Sequence, residues 1–312
     1  MGKEPILSVR DLEISFSQYT KGLNRVDLKV INNLDIDLYK GEILAVVGSS
    51  GSGKSLLAHS ILGILPQNAT TRGDIIYKNK GLDEKAKEKL RGKEIVFIPQ
   101  SVNYLDPLME VGKQVKISIS DKKNSDNILR KVFKRYNLDK KVEKYYPFQL
   151  SGGMARKVLL SSALVSPECE VIIADEPTPG LDEKSLNEVL KDFRDLADEG
   201  CAILIITHDI SSALKIADKV AIFYAGTTLE IANVSDFENN GEYLRHPYTK
   251  ALYNALPDKK FTPIKGSQPL SSEVINGCLF YERCNKRTPQ CENIKPEMKE
   301  IKNGKVRCLY AT

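Results

Sequence analysis

Eight consecutive residues, Gly48-Ser49-Ser50-Gly51-Ser52-Gly53-Lys54-Ser55, lie between an apolar run (residues 43–47) and a stretch that reads as a helix (residues 56–65). Glycines let a backbone wrap phosphate oxygens with its N–H groups, and the start of a helix adds a potential that favours an anion. In that setting Lys54 reaches the β- and γ-phosphates of a nucleotide, and the Ser55 hydroxyl can ligate Mg2+. The order strand, glycine loop, helix makes ATP with Mg2+ the expected ligand.

One serine and the phosphates do not complete the oxygen shell of Mg2+. Residues 171–176, Val-Ile-Ile-Ala-Asp-Glu, supply the missing acid: an aliphatic run delivers two carboxylates at its C-terminal end, where ligands of open α/β sheets bind. Asp175 is expected to hold Mg2+ through water, and Glu176 to orient or deprotonate the attacking water. Two adjacent acids can also form a solvated turn, but the apolar run ahead of them argues for the sheet. His208 closes another such run, residues 202–207. The chain has only three histidines, and one at the end of a parallel strand suits catalysis.

The elements that must position these groups follow from the hydropathy pattern. Leu34, Ile36 and Leu38 alternate with polar residues, as in half-buried antiparallel strands. From residue 42 onward apolar runs (43–47, 95–98, 171–174, 202–207) alternate with helix-like segments starting near Lys54, Gly152 and Glu183, which predicts a mainly parallel sheet covered by helices. Residues 113–144 carry eleven Lys or Arg against four Asp or Glu and read as a helical subdomain; such charge usually just faces water, although anionic lipid headgroups would also attract it. Beyond Pro257 periodicity is lost and Pro263, Gly266, Pro269 and Gly277 suggest an extended arm.

Composition narrows the class further. With 41% hydrophobic and 28% charged residues, the 312-residue chain can bury a core, and its net charge of +5 is too small to signal nucleic-acid binding. No apolar run is long enough to span a bilayer, the first residues lack a signal-peptide core, and Ile6 stands where a myristoylation signal needs Ser or Thr. Cys278, Cys284, Cys291 and Cys308 cluster near the C-terminus with gaps of five, six and sixteen residues, unlike the short knuckles of common zinc sites. In a reducing compartment such a cluster points to metal or to packing.

Leu150-Ser151-Gly152-Gly153-Met154, just upstream of Asp175-Glu176, resembles the signature of ABC-type ATPases; alone it is only a helix-capping tetrapeptide. Gln100, after the run 95–98, resembles the Q-loop glutamine; Thr207-His208-Asp209 resembles the switch-histidine segment, and Gly180-Leu181-Asp182 the D-loop. The resemblance covers residues 7–231. It implies a P-loop α/β fold with an N-terminal antiparallel β subdomain and a helical subdomain. It further implies that Ser151, Gly152 and Gly153 contact the γ-phosphate of a partner's nucleotide, that Gln100 touches Mg2+ and water, that Asp182 communicates across a dimer, and that Phe16, or failing that Tyr19, stacks on adenine.

A narrower resemblance rests on His246-Pro247-Tyr248-Thr249-Lys250-Ala251-Leu252, Leu256-Pro257, Gly277-Cys278-Leu279-Phe280 and Arg283-Cys284. These are similar to the C-terminal extension of the dipeptide, oligopeptide and nickel importer subfamily, dividing the chain into an ATPase domain (residues 1–245) and an extension (246–312). The resemblance implies two transmembrane permease subunits, a second ABC ATPase subunit (the same or a different chain), an extracytoplasmic substrate-binding protein, and a peripheral position on the cytoplasmic side of the plasma membrane. It favours a 4Fe-4S cluster over zinc at the four cysteines, and leaves nickel or a metal chelate as an alternative cargo to di- and oligopeptides. A soluble ABC ATPase acting on ribosomes or DNA is the rival from another class; such proteins generally carry two cassettes or a long coiled coil, and neither is seen. Departures are Arg156, where the family commonly has Gln, Pro179 for Thr, Gly180 for Ala, and a divergent segment 101–107, which suggests a divergent permease.

Overall fold

Residues 7–38 alternate apolar and polar side chains over two long stretches, and a chain with that period buries one face of each strand. A computed structural model describes residues 4–19, 25–269 and 276–311. In chain order the elements are β1 (Leu7–Tyr19), β2 (Arg25–Leu38), β3 (Ile43–Gly48), α1 (Lys54–Leu62), β4 (Ala69–Tyr77), β5 (Lys80–Gly81), α2 (Glu84–Leu90), β6 (Ile95–Ile98), α3 (Val111–Ile117), α4 (Ser125–Arg135) and α5 (Gly152–Leu164). There follow β7 (Val171–Asp175), α6 (Glu183–Asp198), β8 (Ala202–Thr207), α7 (Ile210–Ile216), β9 (Lys219–Tyr224), β10 (Thr227–Asn233), α8 (Pro247–Asn254), α9 (Pro289–Asn293), β11 (Lys299–Ile301) and β12 (Gly304–Val306). The chain forms two compact units: Met1–Tyr39, Leu44–Leu82 and Thr207–Thr312 make the first, Lys40–Ile43 and Asp83–Ile206 the second.

In the first unit β1 pairs antiparallel with β2 and with β4, Leu7 opposite both Leu38 and Tyr77, as the alternation requires. β9 pairs parallel with β3 and antiparallel with β10. The β9–β10 hairpin turns at Ala225 (φ 46°) and Gly226 (φ 80°), the paired positive angles that match strand twist. Gly226 is required there twice over, by its positive φ and because a Cβ would stand 2.1 Å from the Val30 carbonyl; its own carbonyl accepts from Asn32 N at 2.8 Å.

The C-terminal arm differs from the expectation in one respect. Residues 257–269 hold no helix or strand, but the chain ends in the β11–β12 hairpin, and β12 adds to the edge of β10 with Glu230 opposite Val306. Three-residue strands are too short to register as a period in sequence. Aromatic contacts anchor this region: Tyr248 packs on Tyr224 with ring centroids 4.6 Å apart, and Phe280 on Tyr248 at 5.2 Å. Beneath them Arg245, whose side chain is 1% exposed, donates to Glu230 at 3.3 Å, to Asp236 at 2.9 Å and to the Ile301 carbonyl at 2.6 Å. Glu230, fully buried, also accepts from the backbone N–H of Arg245 and His246, each at 2.8 Å.

In the second unit β7 lies between β6 and β8, all parallel, with Val171 opposite Ile95 and Ala202. Every residue of β7 and β8 is buried, which explains their unbroken apolar runs. α3 and α4 form the helical subdomain, whose core includes Leu129, Phe133 and Tyr136, while its lysines stay outside. α6 is strongly amphipathic and buries Val189, Leu190, Phe193 and Ala197.

Breaking a buried ion pair strands the surviving charge. Arg245→Met is therefore expected to destabilise the chain by about 3–5 kcal/mol, read as a lower urea midpoint at unchanged slope. A midpoint like that of the wild type would mean that Glu230 is adequately held by backbone amides alone.

Candidate nucleotide site

The glycine-rich stretch 48–55 belongs to the first unit. β3 is buried throughout and releases the chain at Gly48 into a loop that turns through Gly51 (φ 76°) and Gly53 (φ 96°) into α1. At Gly53 a Cβ would sit 3.0 Å from Ile31 Cδ1, so both the left-handed backbone and the close approach to β2 call for glycine. Lys54, 6% exposed, folds back and donates from Nζ to the carbonyls of Gly48 and Ser49, each at 2.9 Å. Ser52 Oγ donates to the Ser49 carbonyl at 2.7 Å, which tightens the curl. Ser49, Ser50 and Gly51 are exposed, and Ser55 is half-buried in the first turn of α1. Ser49 Oγ donates to Gln268 Oε1 at 2.9 Å, a contact with the C-terminal arm that nothing in the sequence announces.

His208 also lies in this unit and is exposed. Asp209 caps α7, accepting from Ser211 N at 3.0 Å and Ser212 N at 3.2 Å, and its own N–H donates to Thr207 Oγ1 at 3.0 Å. The histidine is thus held between two fixed neighbours. Phe16 is half-buried on β1 opposite Leu28 and Ala69, whereas Tyr19 at the end of that strand is 74% exposed.

The second unit holds Gln100, Ser151, Gly152, Gly153, Asp175, Glu176 and Asp182. Asp175 ends β7 at 3% exposure and Glu176 follows at 6%. Glu176 has a φ of 45°, uncommon for a residue with a Cβ, and its N–H donates to the Ile206 carbonyl at 2.8 Å. Backbone strain of this kind gathers where a side chain must be aimed. Ser151 caps α5, its Oγ accepting from Met154 N at 3.3 Å, and Ser151 and Gly152 are exposed at that helix start. Asp182 caps α6 in the same way, accepting from Ser185 N at 3.0 Å and Ser185 Oγ at 2.8 Å; those two bonds hold its carboxyl below the usual range.

Gln100 is exposed just beyond β6, and its backbone carbonyl is gripped by Arg156 of α5. Burial depresses the Arg156 pKa, against the favourable fields of Asp175 and Glu176, which places the guanidinium within electrostatic reach of both acids. The sequence marks Arg156 as a departure without indicating what it touches.

Cys278, Cys284, Cys291 and Cys308, all without disulfide partners, line one small cavity of about 40 Å3 in the first unit together with Phe280 and His246. Burial raises the Cys278 thiol to about 11, and the nearby Cys308, Cys291 and Cys284 add to the rise. The Cys278 N–H donates to the Cys291 carbonyl at 2.8 Å, an approach possible because Gly277 has no Cβ to meet that oxygen. Among the described residues no group of three or more His, Cys, Asp or Glu is arranged to hold a metal ion.

Residues 31–179 match the ABC transporter family, and residues 229–291 match the C-terminal region of oligopeptide/dipeptide transporters. A solved dimeric ATP-binding cassette, in a post-hydrolysis state bound to ADP and Pi, superposes with a TM-score of 0.63 at 22% identity over 73% of this chain and 98% of that one. Fold and motifs together define an ABC-type ATPase. The dipeptide transport ATP-binding protein DppD of Bacillus subtilis is 34% identical across 94% of this chain and 90% of its own length. The oligopeptide transport ATP-binding protein OppD of Escherichia coli is 32% identical across 98% and 93% respectively. The chain belongs to the family of ATP-binding subunits of dipeptide and oligopeptide ABC transporters.

A carboxylate can accept a proton from water and an ammonium can supply charge for phosphate, the parts expected of Glu176 and Lys54. Glu176→Gln should lower steady-state ATPase activity of the assembled complex by about 100-fold or more while bound ATP is retained. Lys54→Ala should instead weaken nucleotide binding itself, seen by equilibrium titration. Unimpaired turnover in Glu176→Gln would remove that residue from the chemistry.

Proposed function

We propose that this chain powers the import of di- and oligopeptides through a membrane permease. The observation that carries this reading is similarity along nearly the whole chain, extension included, to subunits named for dipeptide and oligopeptide transport. In this reading Gly48 to Ser55 bind the phosphates, Ser55, Gln100 and Asp175 serve Mg2+, Glu176 and His208 act on the attacking water, and Phe16 or the more exposed Tyr19 meets adenine. Ser151, Gly152 and Gly153 serve the nucleotide of a second ATPase subunit, and Asp182 lies on that dimer path. Residues 1–245 are the ATPase domain and 246–312 the extension.

Among the described residues no helix is long and apolar enough to cross a membrane. In this reading the substrate path lies in two permease subunits fed by an extracytoplasmic binding protein, as the names of the peptide-transport relatives support. The same reading puts the chain peripherally on the cytoplasmic face of the plasma membrane, beside its permease. Tyr104 and Leu108, just beyond Gln100, are 57% and 88% exposed, and such apolar side chains near a nucleotide-responsive loop suit a docking face for the permease. The match of residues 229–291 to the peptide transporter extension weighs against a ribosome- or DNA-acting ATPase, and the relatives' names support peptide over nickel as cargo. Proteoliposomes carrying the full complex are expected to accumulate a labelled dipeptide in the presence of ATP and the receptor. Uptake of nickel with no peptide uptake would overturn the cargo assignment.

The four cysteines are not arranged to hold an ion in the structure as it stands, but all four line one cavity, and this supports a structural 4Fe-4S cluster around which they would close. Thiolates are the ligands such clusters use, and a charged cluster would offset the cost of ionising Cys278 and Cys284, whose thiols burial pushes up. The cluster would tie residues 278–308 into one lobe that has little apolar core of its own. Anaerobically purified protein is expected to be brown, with iron and sulfide near four per chain. A colourless protein with one zinc per chain would replace the cluster with zinc, and four titratable thiols without metal would exclude both.

A further inference from the structure

The signature helix and the Gln100 loop are separate in sequence, yet one side chain spans them. Arg156 is 5% exposed and lies one turn into α5, five residues beyond Ser151. Its two terminal nitrogens donate to consecutive backbone carbonyls, NH1 to Pro99 and NH2 to Gln100, each at 2.7 Å. Pro99 is buried, whereas Gln100 is exposed and leads into a short turn in which Asn103 N donates to Ser101 Oγ at 3.1 Å and Leu105 N to the Val102 carbonyl at 3.1 Å. A planar guanidinium is suited to two parallel acceptors; an ammonium or a carboxamide cannot hold both in this fork.

We propose that Arg156 is a positioning residue that straps the Gln100 loop to the signature helix, so that displacement of Ser151 and Gly152 within this subunit is transmitted to Gln100. The inference rests on the reading of Gln100 and Ser151 as ATP-site groups. Charge adds to geometry: the fields of Asp175 and Glu176 favour the Arg156 cation, and both bonds to carbonyls are charge-assisted. The common family residue at this position, Gln, is neutral and shorter and lacks the guanidinium's two-nitrogen fork.

Hydrogen–deuterium exchange on the full-length chain tests the strap, with ATP-Mg as the probe. In Arg156→Lys, which keeps the charge, and Arg156→Gln, which removes it, amides 103–105 are expected to exchange about tenfold faster than in the wild type, while the β7 amides are unchanged. The Mg2+ concentration for half-maximal ATPase activity of the complex should also rise severalfold with kcat reduced less. A merely structural role would instead accelerate exchange across α5 and β7 together and lower the melting temperature, which overturns the proposal; so does loop exchange that stays at the wild-type rate in both variants. Failure of the wild-type chain to bind ATP-Mg would refute the underlying site reading, an outcome distinct from either.

Discussion

A charge taken out of water persists only where fixed dipoles or an opposite charge replace its hydration, and Lys54, Arg156, Asp175 and Glu176 are each no more than 6% exposed. The local structure answers this need one group at a time. Lys54 is satisfied by the Gly48 and Ser49 carbonyls of its own glycine-rich loop. Arg156 spends its donors on the Gln100 loop and lends its field to the two acids. Within each unit such groups are held by fixed dipoles, and charge held in that way acts strongly on a ligand of opposite sign.

The same constraint shapes the extension. Arg245 and Arg307 are buried arginines whose partners come from distant stretches: Glu230, Asp236 and Ile301 for the first, Thr228, Asn33 and Asp35 for the second. These bonds, with the aromatic cluster around Tyr248 and Phe280, fasten a segment poor in aliphatic residues onto β10 and β2. Long loop-rich segments gain little from apolar burial, so directional polar contacts and the proposed cluster carry a larger share.

Much of this was legible in the chain. Strands buried on both faces leave continuous apolar runs, so β3, β6, β7 and β8 read almost residue for residue, and the helix starts at Lys54, Gly152 and Glu183 followed from glycine or a capping side chain. β4 escaped notice because Thr70, Thr71, Arg72, Gly73 and Asp74 interrupt its apolar pattern, and all of Arg72 to Asp74 face solvent. The β11–β12 hairpin is too short to show a period. For the site, residue types and order single out Lys54, Asp175, Glu176 and His208 as candidates, since phosphate and Mg2+ chemistry restricts the choice. The grip of Arg156 on Pro99 and Gln100, and the Ser49–Gln268 bond, were not legible, because the partners of a long polar side chain are set by tertiary placement.

Phosphate release by the chain, alone and assembled with its permease in lipid nanodiscs, addresses the central claim most directly. Turnover should require ATP-Mg and rise at least tenfold on assembly, since the ATPase cycle is coupled to partners that carry the substrate path. Equal turnover by the isolated monomer and the assembled complex would contradict the account.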